Sequence, residues 1–459
     1  MNPPSFRRRK SVREVSFNDR HLASNFRTKA KFKLLAPMFK LVQSKKRTCL
    51  HMLSLVPDRA KLPLLCRLSR LNFRKKQLLS AMIPLVIIMS PPVSFNQPFK
   101  DITLEGMDHA AQANCYLFTG WTQAHLLRIA HLWSEDKWVK FEGRFFPRDL
   151  ALMVGFERLR SGANFTSFVS KYGGEGRRWS EAFSWFINKA FEFARVFEHK
   201  DAMLRYAHQG FQFNDAITKT MEREKGFVAT LAEGTTCCII DGVNFTCCNP
   251  CDVDLQGALY SGYKKNTGLN VQVIVLPNGM TARIDICAGS CPDHSAVKRR
   301  DINAHVRAFS NAVNYLAYHR GDLTDNIIRV LSAYGDQIYA CMAFIRSPHS
   351  PDRRYSPAVH QQFPELVARM KLEDAAKRYV RSSVEHAFAS IKNEMRYIGI
   401  PLKHSFMRNG LQFPKLIAVM FFIADLKTIM KGNQRNEMFR LPPPSLSEYI
   451  DGLRKIMEL

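Results

Sequence analysis

Two runs of residues, 269–276 and 281–286, alternate apolar and β-branched side chains on either side of Pro277-Asn278-Gly279. Period-two alternation broken by an Asn-Gly turn is the pattern of a β-hairpin. A hairpin of this apolar content needs further layers to cover it, so these residues restrict the fold more than any others. A short apolar run, 237–240, precedes them and ends in Asp241-Gly242. A helix is expected over 295–316. Residues 327–333 are β-compatible, though Arg329 interrupts them, and they lead into Gly335-Asp336. Residues 374–397 read as strongly helical. This order predicts a mixed α/β domain with a sheet in its middle over residues 233–430, followed by a tail or helix over 431–459.

Residues 98–232 read instead as an all-helical region. Leu126, Leu127, Ile129, Ala130 and Leu132 recur at helical spacing, as do Leu150, Leu152, Met153, Phe156 and Leu159. Beyond Ser161-Gly162-Ala163-Asn164, helices are expected at 165–171 and 179–193, joined by Gly173-Gly174-Glu175-Gly176, with Ser180 as the N-cap of the second. Helix, tight glycine turn, helix is the outline of a helix-turn-helix and equally of a plain helical hairpin. Arg177 and Arg178 stand where the second helix would begin, placed for phosphates in the first reading.

The charge is uneven. Formal net charge is +27, and residues 1–80 carry 21 Lys and Arg against 3 Asp and Glu, leaving 46 against 37 for the rest. Such a basic arm, set at residues 1–97 and expected to be disordered, suits a polyanion such as nucleic acid, although basic tails are also common as plain solvated segments. Its runs Arg7-Arg8-Arg9-Lys10, Lys45-Lys46-Arg47 and Arg74-Lys75-Lys76 have the form of nuclear localisation signals. An organelle presequence, or a start that truly lies near Met107, would also account for residues 1–106. The apolar stretch 78–93 contains Pro84 and ends in Pro91-Pro92, so its unbroken part is shorter than the ~20 residues a bilayer helix needs, and no stable membrane insertion is expected. Eleven cysteines, some in adjacent pairs (Cys237-Cys238, Cys247-Cys248), are not spaced as a secreted disulfide framework. Cys248 and Cys251 have zinc-ligand spacing, but no second pair follows, so small buried hydrophobes are the better reading.

Three acids draw attention. Asp241 and Asp336 each follow an apolar strand, where burial of a charge needs compensation. If those strands are neighbours, the two carboxylates meet, and their repulsion asks for hard divalent cations. Glu385 lies on a helix over 379–397, one residue off the apolar stripe of Val384, Phe388, Ile391 and Met395. Arg381, Lys392 and Arg396 share its side. Singly, each acid reads as structural: Asp-Gly is a turn pair, and Arg381 with Glu385 an ordinary i,i+4 ion pair. Jointly they suit two-metal phosphodiester chemistry, with Asp241 bridging both ions and Asp336 and Glu385 completing one each. Asp293 is a candidate auxiliary acid and equally a helix N-terminal acid. Asp322 and Asp325, in a polar stretch, read as loop residues. Lys264, Lys265, Lys298, Arg299 and Arg300 are candidate phosphate contacts.

Several blocks resemble the DDE endonuclease domain of PIF/Harbinger-type transposases and their domesticated relatives. They are Ile239-Ile240-Asp241-Gly242, Tyr260-Ser261-Gly262-Tyr263-Lys264-Lys265, Leu269-Asn270-Val271-Gln272-Val273, Gly289-Ser290 with Asp293 and Ser295, Tyr334-Gly335-Asp336-Gln337-Ile338-Tyr339, and Val384-Glu385-His386-Ala387-Phe388 with Ile391-Lys392. They span residues 236 to 425; the helical region 108–232 is similar to that family's helix-turn-helix segment. The chain departs from the pattern at Phe245-Thr246-Cys247-Cys248-Asn249-Pro250, where the family often has Arg-Pro, and at Cys291-Pro292 before Asp293. The resemblance implies a ribonuclease H-like fold, two Mg²⁺ or Mn²⁺ ions on Asp241, Asp336 and Glu385, cleavage and strand transfer at transposon terminal repeats, and action in the nucleus. It also implies a separate Myb-like DNA-binding partner and a possible homo-oligomer. DNA contacts would fall to Arg177, Arg178, Lys264, Lys265, Arg381, Lys392 and Arg396. A domesticated DNA-binding or scaffold protein that no longer cuts is the alternative. An RNA- or membrane-associated protein, argued from the arm and residues 78–93 alone, is the third.

Overall fold

The structure, a computed structural model, describes residues 104–459 except 106, 108, 231–234, 323–328, 341, 400–411 and 459. The basic arm at 1–97, the stretch 78–93, Asp325 and the first part of the strand expected at 327–333 therefore lie outside the described residues. Those described belong to one unit, Ser94–Leu459.

The N-terminal part is built from α1 (His109–Thr119), α2 (Gln123–Trp133), α3 (Arg148–Ser161), α4 (Phe165–Tyr172), α5 (Gly176–Ala194) and α6 (Gly210–Lys225). Thr122 and Asn164 cap α2 and α4 by accepting from His125 and Ser167 backbone N–H groups. The second helix of the expected pair starts earlier than the sequence suggested. Its N-cap is Glu175, and Ser180 lies one turn inside, where its carbonyl accepts from the Ser184 hydroxyl. The region is also not all helical. Strands β1 (Trp138–Phe141) and β2 (Arg144–Pro147) form a hairpin whose two-residue turn, Glu142-Gly143, has φ of 47° and 83°. Two consecutive positive φ values make a primed turn, which matches strand twist.

The second part carries the sheet. Strands β3 (Thr236–Thr246), β4 (Tyr260–Ser261), β5 (Asn266–Val275) and β6 (Thr281–Ala288) come first. Helices α7 (Asp293–Arg299) and α8 (Ile302–Arg320) follow, then β7 (Ser332–Tyr334) and β8 (Ile345–Arg346). The helix expected at 295–316 is thus two, broken at Asp301 in the left-handed region (φ 48°). Across the sheet the order is β6, β5, β3, β7, β8, with β4 pairing the start of β5. The β6–β5–β3 ladders are antiparallel and the β3–β7–β8 ladders parallel. Buried on both faces, β3 and β5 read as near-continuous apolar runs, Cys237–Ile240 and Val271–Leu276 among them.

Helix α9 (Pro364–Glu394) begins ten residues before the sequence suggested and packs on β3 and α6. Its stripe of Val384, Phe388, Ile391 and Met395 is buried, as the spacing requires. Helix α10 (Gln412–Lys431) returns to the N-terminal part and packs along α5. There Trp133, Phe156, Phe186 and Phe422 form a chain of ring contacts at centroid distances of 5.0 to 6.5 Å. A last helix, α11 (Leu446–Met457), is opened by a Ser445/Glu448 capping box. No helix among the described residues is long and apolar enough to cross a membrane.

Candidate active site

Asp241 lies in the middle of an eleven-residue strand, β3, not at its end as the sequence suggested. Val243 and Phe245 continue the buried pattern beyond Gly242. What frees the Asp241 carboxylate is its neighbour. Pairing of β3 with β7 stops at Ile239 and Tyr334, two residues short of Asp241, while β5 still pairs Asp241 with Val273. After Tyr334 the chain leaves the sheet through Gly335, so Asp336 emerges beside the stretch of β3 that β7 no longer covers. Asp336 heads a single 3₁₀ turn, Gln337–Tyr339, and its Oδ1 accepts from Gln337 N at 2.7 Å. A Cβ on Gly335 would lie 2.4 Å from the Tyr339 ring and 2.8 Å from Ile240 Cγ2, so only glycine lets that ring close over the strand end.

The third acid arrives from α9. Arg381 Nη1 donates to Asp241 Oδ2 at 2.9 Å, and its Nη2 lies 3.0 Å from Glu385 Oε1, one turn further along the helix. One guanidinium therefore bridges the first and third acids. The Asp241 side chain is 19% exposed and Glu385 55%. Burial pushes the Asp241 carboxyl up to about 6; Arg381 and the Gly242 N–H oppose that, and the charges of Glu385 and Asp336 add to it. Asp241 thus feels both other acids, so three carboxylates distant in sequence share one electrostatic neighbourhood. They are not at ligand spacing. Among the described residues no group of three or more His, Cys, Asp or Glu is placed to hold a metal. The donor chemistry nevertheless suits a hard divalent cation: carboxylate oxygens only, with a cation already required between two of them. A guanidinium meets that requirement here.

Behind the acids is a buried polar network that the sequence did not assign. Asn270 and Gln272, 4% and 1% exposed, project from one face of β5. Asn270 Nδ2 and Gln272 Nε2 donate to Asp293 Oδ1 at 2.7 and 2.8 Å, and Tyr339 Oη donates to Gln272 Oε1 at 2.6 Å. A Cβ on Gly242 would be 2.7 Å from Asp293 Oδ1, so Asp293 packs directly on the strand residue next to Asp241. Alternation along β3 puts Gly242 and Asp241 on opposite faces, so Asp293 packs on the face of β3 opposite the Asp241 side chain. The network ties the Asp336 turn, β5 and the start of α7 into one piece. Two polar residues at i and i+2 inside an apolar strand were the available signal.

The basic residues divide. Lys392 donates to Asn244 O at 3.5 Å and stands over the Phe245 ring, and burial together with Lys264 holds its ammonium below the usual lysine value. Lys264, Lys265 and Lys392 thus gather near the far end of β3, with Tyr263 94% exposed beside them. Arg177 pairs with Glu181 at 2.9 Å, and Arg178 lies over the Phe146 ring of the hairpin. Arg396 is exposed, beyond the end of α9. Of the competing acids, Asp322 is exposed and pairs with Arg320. The cysteines Cys237, Cys238 and Cys247 are buried in the core, but Cys248 is half-buried and Cys251 exposed, so the expectation of small buried hydrophobes fails for Cys251.

Residues 240–423 match the family model described as DDE superfamily endonuclease. No curated protein and no solved structure matches the chain. The matched segment starts one residue before Asp241 and ends within α10, so it encloses all three acids and supports a DDE transposase-like family for this part of the chain.

Proposed function

We propose that this protein is a metal-dependent DNA endonuclease of the transposase kind, with Asp241, Asp336 and Glu385 as its metal-holding acids. The observation that carries the reading is the Asp241–Arg381–Glu385 bridge beside Asp336: distant segments of the matched region converge on an anionic centre that recruits a cation. The sheet order, three antiparallel strands followed by two parallel ones with the first acid on the central strand, supports a ribonuclease H-like reading of the domain. The sequence blocks favour the PIF/Harbinger branch, acting at transposon terminal repeats in the nucleus with a Myb-like partner and as an oligomer.

Two Mg²⁺ or Mn²⁺ ions on the three carboxylates would supply a water of lowered pKa and positive charge at the leaving oxygen. The chain's own groups do the rest. Asp241 feels the charges of the other two acids and is held by strand pairing on β5 and by the Gly242 N–H. The Tyr339–Gln272–Asp293 network fixes the turn that presents Asp336. Arg381, once released from Asp241, would offer a guanidinium fork to two phosphate oxygens. Lys264, Lys265 and Lys392 carry the strand away from the acids as backbone contacts, and α4–α5 serve as a helix-turn-helix-like DNA contact with Arg177 and Arg178 at its second helix. Charge neutralisation and positioning carry such a reaction, because a phosphodiester offers little else to act on.

The same bridge also favours the alternative, a domesticated DNA-binding protein without nuclease activity, because a guanidinium that satisfies both acids leaves a stable site with no ion. Cleavage of terminal-repeat DNA with Mg²⁺ separates the two. The nuclease reading expects cleavage in the wild type and its loss in Asp241→Asn, Asp336→Asn and Glu385→Gln, with DNA binding retained. Binding without cleavage in the wild type would leave the alternative standing.

A further inference from the structure

A cavity of about 530 Å³ has none of Asp241, Asp336 and Glu385 in its lining. Its walls come from the end of α1 and the turn after it, the last turn of α3, residues 393–396 and the second half of α10. Arg160, Arg396, Lys427 and Lys431 line it together with the rings of Tyr116 and Trp121. Two carboxylates are also present, and both are engaged. Glu394 pairs with Lys427, and the buried Glu157 accepts from the Tyr172 hydroxyl. Arg160, Arg396 and Lys431 have no carboxylate at ion-pair distance among the described residues, so they leave the cavity cationic.

Lys431 shows the consequence. Its ammonium donates to Gly120 O at 2.7 Å and rests 4.8 Å from the Tyr116 ring centroid and 5.6 Å from that of Trp121. Burial and the charges of Lys427 and Arg160 hold it below the usual lysine value, against Glu394. The Arg160 guanidinium is wedged against Gly120, where a Cβ would fall 2.1 Å from Nη1. Four cations against two carboxylates leave this concavity a net surplus of two positive charges, which favours an anionic ligand. Tyr116, 47% exposed at the mouth, offers a ring face for a flat group. The volume is within the ~300–1,000 Å³ of small-ligand sites.

We propose that this cavity binds one nucleotide unit, its phosphate held by Arg160, Lys431 and Arg396 and its base stacked on Tyr116. A cationic cleft with an aromatic platform is the chemistry that takes single-stranded nucleotides whatever their sequence. The unit comes either from a free nucleotide or from a nucleotide of a single strand. The site stands apart from the three acids and does not depend on whether the chain cuts DNA.

The test uses the full chain and three probes: etheno-AMP, fluorescein-labelled hexa-deoxyadenylate, and a fluorescein-labelled abasic hexamer of the same charge. Fluorescence and anisotropy titrations should show the deoxyadenylate hexamer binding about five- to a hundredfold tighter than the abasic one. In Tyr116→Ala that preference should vanish while the abasic hexamer binds as before. In Arg396→Gln, at an exposed position that leaves the core intact, both hexamers should weaken. Etheno-AMP binding that hexa-deoxyadenylate displaces would identify a site open to free nucleotides. No etheno-AMP binding alongside a base-dependent hexamer would identify a strand nucleotide. The proposal is overturned if the two hexamers bind alike in the wild type, if Tyr116→Ala preserves the preference, if Arg396→Gln changes neither, or if inorganic phosphate displaces etheno-AMP as well as AMP does.

Discussion

Replacing Arg381 by Gln removes the guanidinium that bridges Asp241 and Glu385 and leaves a shorter, neutral side chain. The two contacts differ in weight. Glu385 is 55% exposed, so its half of the bridge resembles a surface pair worth about 0–1 kcal/mol. The Asp241 half, between side chains 24% and 19% exposed at 2.9 Å, is a charge-assisted bond worth about 1.5–3 kcal/mol. A divalent ion that takes Asp241 must displace that bond. Its loss should therefore tighten ion binding by about ten- to a hundredfold at about pH 8, since 1.4 kcal/mol is a factor of ten. Acid reverses the gain. Without Arg381 the Asp241 carboxyl, already raised to about 6, loses the charge that held it down and rises further. Near about pH 6 the variant's Asp241 is then mostly protonated, and its advantage over the wild type disappears. Electron paramagnetic resonance of free Mn²⁺, titrated with protein at the two pH values, measures both effects. Equal or weaker affinity in Arg381→Gln at the higher pH would refute the view that this arginine occupies the cation's place.

Asp241→Asn should alter the pH dependence of stability. The folded carboxyl titrates at about 6, above its value of 3.8 in an open chain, so the folded state holds the proton longer and stability falls as pH rises between those values. The drop is about 3 kcal/mol and should be absent from the variant in urea melts at about pH 4 and about pH 7. Asp425, buried, raised to about 7 and accepting from Thr281 and Tyr449, contributes a drop of the same sign that should persist in Asp241→Asn. Gly335→Ala forces a methyl to within 2.4 Å of the Tyr339 ring. It should cost about 1–3 kcal/mol in denaturant melts and weaken DNA cleavage more than DNA binding.

The part of the site that follows from local pattern was legible in the sequence. The hairpin of β5 and β6 is written in alternation and an Asn-Gly turn, and the buried stripe of α9 in its spacing. Asp241, Asp336 and Glu385 stood out as candidates because a charge beside an apolar run is costly, and the structure brings them into one electrostatic neighbourhood. Other features depend on which segments become neighbours. Asp241 looked like a strand end because Asp-Gly so often begins a turn; it is the short β7, not β3, that stops there. Arg381 looked like a phosphate contact, and only the packing of α9 across β3 brings its guanidinium onto Asp241. Asn270 and Gln272 were visible as residues, but their shared partner Asp293 is brought to them by the turn after β6. The β1–β2 hairpin was hidden because four-residue strands give too little alternation to register. Its Glu142-Gly143 turn, the one clue, stands among charged residues that read equally well as a helix surface.

Whether three segments share cations can be measured without a DNA substrate. Fe²⁺ loaded in place of Mg²⁺, with ascorbate and peroxide, cuts the backbone near any bound ion. The expected result is cuts near residues 241, 336 and 385 together, all suppressed by excess Mg²⁺ and all lost in Asp241→Asn. Cutting near only one of the three, or at unrelated positions with all three intact, would contradict the shared site.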